Sequence, residues 1–61
     1  MRLDIVQGIG TSIVGQIEVK PDEIQGVRQN YEASVIYLKN GRSYRIRGIY
    51  RTIDELLRGG R

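Results

Sequence analysis

The sequence predicts a mainly β fold with one C-terminal helix: a small antiparallel sheet, or partly open barrel, of three to five short strands. Three observations carry that expectation. Nine isoleucines and five valines stand against four leucines and one alanine, with no phenylalanine or tryptophan, and β-branched side chains favour strand over helix. An Asn40-Gly41 step lies between two alternating apolar runs, the strongest short-range hairpin signal. After Gly48 the apolar spacing changes: Ile49, Ile53, Leu56 and Leu57 stand at i, i+4, i+7 and i+8, a helical stripe.

Leu3-Asp4-Ile5, extended by Val6, begins the chain as a short strand with period 2. Gly8 and Gly10 then loosen it. From Thr11 to Val19 the alternation is clean, with Ile13, Gly15, Ile17 and Val19 on one face, and Gly15 marks a bulge or a close backbone approach. Lys20-Pro21-Asp22 makes a turn, Pro21 fitting its second position. Ile24 and Val27 flank Gly26, a spacing that suits either a bulged strand or one helical turn.

For the hairpin over Ala33–Gly48, a two-residue type I′ loop at Asn40-Gly41 pairs Leu38 with Ser43, Tyr37 with Tyr44, Ile36 with Arg45 and Val35 with Ile46. Val35, Tyr37, Tyr44 and Ile46 then form the core face. Ile36 and Leu38 fall on the other face beside Ser43, Arg45 and Arg47. The closing helix is expected at about 49–58, or over only about six residues if Thr52 is its cap. Thr52 and Glu55 have capping-box spacing, while Asp54 and Glu55 near the start and Arg58 near the end suit the helix dipole. Gly59-Gly60 stops it, and Leu56 and Leu57 are expected against the sheet.

The whole chain, 1–61, reads as a single domain. At this length a fold buries only about 60% of its unfolded surface, and without cysteine no disulfide can staple it. The lack of cysteine and histidine excludes thiolate chemistry and removes the usual zinc ligand and the commonest neutral-pH base. The seven carboxylates are scattered, so no metal or other cofactor is expected. Asp22 and Glu23 read as solubilising charges at a turn, and Asp54 and Glu55 as helix-start charges. Gly8-Ile9-Gly10-Thr11 lacks the Gly-Lys-Ser/Thr ending of a phosphate loop and precedes a strand, not a helix. A non-enzymatic protein is expected. No apolar run approaches the length of a membrane helix and no signal-peptide core opens the chain, so the expected address is the cytoplasm.

Ten bases against seven acids give a net charge of +3, and eight of the ten are arginine. Residues 31–61 carry seven bases and three acids, a balance of +4. Arg45 and Arg47 project from one strand face about 7 Å apart, with Arg42 and Lys39 near the turn and Arg51 before the helix. Such an array suits a nucleic-acid backbone, DNA or RNA, and the tyrosines, placed with the core, add no stacking platform. The alternative is a protein-interaction or assembly module whose arginines meet an acidic protein partner. Ile36 and Leu38, left among the arginines, point to an oligomer interface, most simply in a dimer.

Ile36-Tyr37-Leu38-Lys39-Asn40-Gly41-Arg42-Ser43-Tyr44-Arg45-Ile46 followed by Ile53-Asp54-Glu55-Leu56-Leu57 resembles the small FlbD-type flagellar proteins. The likeness covers residues 35–57, a little over a third of the chain. The same hairpin-then-helix is similar to LytTR-type DNA-binding modules, and Leu38–Arg42 resembles the turn of Sm-like RNA-binding barrels. In the Sm-like case Gly48 falls late and the terminal helix replaces an expected strand. The FlbD-type likeness implies a small regulatory or assembly partner, without catalytic residues to carry over.

Overall fold

The computed structural model describes residues 1–8 and 12–59. Ile9, Gly10 and Thr11 of the glycine-rich segment, and Gly60 and Arg61 after the helix, lie outside these. Five strands form one antiparallel sheet: β1 (Arg2–Gln7), β2 (Ser12–Glu18), β3 (Ile24–Asn30), β4 (Ala33–Leu38) and β5 (Ser43–Arg47). Their order across the sheet is β2-β1-β5-β4-β3, and a single helix, α1 (Ile53–Gly59), follows. The fold is thus mainly β with one C-terminal helix, as the composition predicts.

The β4–β5 hairpin differs from its expected form in one residue, and that residue changes both faces. The Gly41 amide donates to the Leu38 carbonyl at 3.0 Å, and the Leu38 amide donates to the Arg42 carbonyl at 2.8 Å. Lys39, Asn40 and Gly41 therefore make a three-residue loop, with Gly41 at φ +90° taking the left-handed position that only glycine adopts at little cost. The Asn40 side chain accepts from the Arg42 amide and braces the loop. The register becomes Ile36 with Tyr44, Tyr37 with Ser43, Val35 with Arg45, Ser34 with Ile46 and Ala33 with Arg47. A one-residue slip exchanges the faces of a strand. Ile36 and Leu38 thus turn inward, to 0% and 6% exposure, and are core residues of the single chain, not an oligomer interface. Tyr37 turns outward at 40% exposure.

Leu3, Val19, Ile24, Ile36, Leu38, Ile46 and Leu56 form the core, with Tyr44, Tyr50 and Ile53 packed against it. The helix closes this face through Leu56, which is fully buried. It takes the shorter of the two expected forms, starting at Ile53. The Thr52 hydroxyl accepts from the Glu55 amide at 3.2 Å, so Thr52 is the cap, but the Glu55 carboxylate reaches past it to the Arg51 amide at 3.0 Å. Ile49 lies outside the helix and is 51% exposed, and Leu57 is 40% exposed, so Leu56 alone of the leucine pair is buried.

Residues 24–30 are a strand with an extra residue, Gln25, between the Ile24–Leu38 and Gly26–Tyr37 pairs. That bulge brings Ile24 and Val27, three apart, onto the same face, which explains their ambiguous period. In β2 the extra residue is Val14, between Gly15 (opposite Ile5) and Ile13 (opposite Val6). Ile13 therefore leaves the face of Ile17. Pro21–Glu23 forms a single 3-10 turn, held by the Lys20 amide donating to the Glu23 carboxylate at 3.0 Å.

Buried Ser34 locks the route from β5 to the helix. Its hydroxyl donates to the Gly48 carbonyl at 2.8 Å and accepts the Tyr50 amide at 2.7 Å. Gly48 has φ +100°, and a Cβ there would meet the Tyr50 ring at 2.7 Å. Only glycine fits.

Candidate nucleic-acid interface

The face opposite the helix belongs to the other half of each alternation. On β5 it carries Ser43, Arg45 and Arg47; on β4, Ala33, Val35 and Tyr37; on β3, Gly26, Arg28 and Asn30. β1 pairs with β5 through Ile5 and Ile46, and continuing that register by one residue sets Val6 beside Arg45 and Asp4 beside Arg47. One row across the sheet therefore reads Val6, Arg45, Val35, Arg28. Arg45 and Arg28 are two strand spacings apart, about 10 Å, while Arg45 and Arg47 are about 7 Å apart along β5. Val6 and Ala33 are buried on this side at 3% and 0% exposure, which gives the arginines an apolar floor.

Arg45 is half-buried. Its Nη2 donates weakly to the Asn30 carbonyl at 3.5 Å, and its buried Nε finds no hydrogen-bond partner among the described residues. Arg28 and Arg47 are exposed. One ion pair occurs among the described residues, between the Met1 ammonium and Glu18 at 2.9 Å. The hydrogen bond and charge of that ammonium, with Arg2 behind it, hold the Glu18 carboxyl below its ordinary pKa. None of the arginines on the open face has a carboxylate within 4.0 Å among the described residues. Asp4, the acid nearest in register, instead accepts from the Gln16 side chain at 3.0 Å.

Two tyrosines accompany the arginines. Tyr37 shares their face, which reverses the expectation that it belongs to the core with Tyr44. Tyr31, 75% exposed, sits at the β3–β4 turn with φ +57°, the sole non-glycine residue in the left-handed region among the described ones. Gly8, Asn30, Tyr31 and Arg45 line a cavity of about 460 Å³. Arg2, Asp4 and Arg47 share a smaller hollow of about 190 Å³ with Leu3, Gly48, Tyr50 and Gly59.

The five basic residues singled out in the sequence separate into three places. Arg45 and Arg47 share the open face. Lys39 and Arg42 are exposed at the hairpin tip. Arg51 lies on the helix side, its Nε donating to the Gln29 side chain at 3.4 Å, and Gln29 pairs with core-facing Ser34. Arg28 and Tyr37 join the group only when the true register is known. Among the described residues no cluster of three or more metal-ligating side chains occurs, and no helix is long and apolar enough to cross a membrane. No family model, curated protein or solved structure matches the chain.

Proposed function

We infer that the protein binds nucleic acid through its open sheet face, with single strands preferred. The observation supporting this reading is the placement of Arg28, Arg45, Arg47 and exposed Tyr37 on one face, without an ion-pair partner for any of the arginines among the described residues. Guanidinium groups recognise phosphate bidentately. An aromatic ring beside them offers a stacking surface that tolerates any base. An open sheet face presents both at once to an unpaired strand, whose bases are free to turn inward, whereas a duplex hides its base faces. Lys39 and Arg42 extend the positive surface beyond the hairpin tip. The role is binding or regulation without catalysis.

The test is fluorescence anisotropy with mixed-sequence single-stranded and duplex oligonucleotides of equal length across a salt series. Three arginine–phosphate contacts predict a slope of log K against log salt of about −2 for single strands. R28E/R47E, at two exposed positions, should abolish binding while leaving the fold intact, and Tyr37→Ala should weaken single strands more than duplex. Absence of binding at low salt would remove this reading. Tight, salt-sensitive capture of a polyglutamate peptide in preference to the oligonucleotides would replace it with an acidic protein partner.

A further inference from the structure

We propose that β2 is a self-association edge, at which two copies of this chain pair their β2 strands antiparallel about a two-fold axis. The two ends of the sheet are built differently. β3 is guarded against adding a strand: it carries Arg28 within its run, is bulged at Gln25, and has α1 packed beside it. β2 occupies the opposite end of the sheet, and its sequence, Ser-Ile-Val-Gly-Gln-Ile-Glu, contains no lysine, arginine or proline, the residues that blunt exposed edges. In a chain of ten bases, none falls between Leu3 and Val19.

Yet β2 exposes branched apolar side chains among its polar ones. Ile13 is 49% and Val14 57% exposed, and Ile17 is half-buried. A strand with three branched residues and little burial gains most by covering them. Charge selects the occupant. Glu18 is the single charged residue of β2 and stands at its end. Antiparallel pairing of two identical strands sends the two Glu18 side chains to opposite ends of the interface, whereas parallel pairing would set them together. An isologous antiparallel contact also closes on itself, since it uses the free edge of both copies. Besides the Glu18 charge at its end, the guard β2 retains is the Val14 bulge. It confines regular pairing to short segments on either side, so the dimer forms and dissociates with concentration.

Sedimentation velocity across a low-to-high micromolar series should show the 7.0 kDa species giving way to one of twice that mass and no larger. I13K/V14K alters two exposed side chains, so circular dichroism should show a folded protein, and its association should weaken at least about tenfold. Hydrogen exchange of the wild type provides a readout independent of any variant: β2 amides should exchange more slowly at high concentration, and β3 amides unchanged. A wild type that stays monomeric throughout overturns the proposal. So does growth beyond the dimer, a dimer undiminished in I13K/V14K, or one that leaves β2 exchange unaltered.

Discussion

The two faces of this sheet are made by the same five strands, and they solve different problems. The helix-side face is closed: Ile36, Ile46 and Leu56 have no exposed surface, and branched side chains from every layer meet there. The other face keeps a narrower apolar floor, Val6 and Ala33 with half-buried Val35, and exposes Arg28, Arg47 and Tyr37. Neighbours in the chain are assigned to opposite faces, Ile46 to the core and Arg45 and Arg47 to the open side. Alternation allows it, and the three-residue turn at Lys39–Gly41 sets which residue goes where.

That contrast can be broken experimentally, beginning with the core. Ile36→Ala should cost about 2–5 kcal/mol, enough to unfold much of so small a domain, whereas Val35→Ala, half-buried on the other face, should cost about 1 kcal/mol. Equal losses in chemical denaturation would mean that the two faces do not differ as described. Gly48→Ala should follow at about 2–3 kcal/mol, because it combines a left-handed backbone with a contact against the Tyr50 ring. Gly15→Ala, with open space around its position, serves as its control. Ser34→Ala should lose about 1–3 kcal/mol by stranding the Tyr50 amide and the Gly48 carbonyl, with faster amide exchange at Tyr50 as the specific signature.

The smallest effect concerns Glu18. Its folded-state pKa lies below the ordinary 4.5, so its stabilising share is present above that value and is lost as pH falls through the folded one. Thermal unfolding of the wild type and E18Q should therefore differ slightly at neutral pH and converge in acid. Divergence on acidification would contradict the pairing with the Met1 ammonium.

Much of this architecture was legible in the residues. Strand content followed from the β-branched excess, the hairpin from Asn40-Gly41, and the cap from Thr52 and Glu55. Loop length was not, because Asn-Gly fits both a two-residue type I′ turn and the last two places of a three-residue loop. The discriminating signal was nonetheless present. Only the longer loop puts the more apolar Ile36 and Leu38 with Tyr44 and Ile46 and leaves Val35 and Tyr37 beside Ser43, Arg45 and Arg47, and hydrophobic pattern should outrank turn preference in fixing register. The bulges at Val14 and Gln25 were harder, since each breaks the period that would reveal it. For the same reason the candidate interface was half visible: Arg45 and Arg47 stood out, while Arg28 and Tyr37 waited on the pairing of β3 and β4.

The position of β2 at the end of the sheet bears on valency. A dyad between two antiparallel edge strands runs perpendicular to the sheet, so it carries each arginine face onto the same side of a ten-stranded surface. The two β5 strands then lie five strand spacings apart, about 24 Å, and point in opposite directions. A strand long enough to cross the dyad would meet two equivalent sites, the second at high effective concentration. Uncharged substitutions at Ile13 and Val14, two strands from β5, would then weaken long oligonucleotides more than short ones. Avidity would be set by the pairing of an edge strand that carries no arginine.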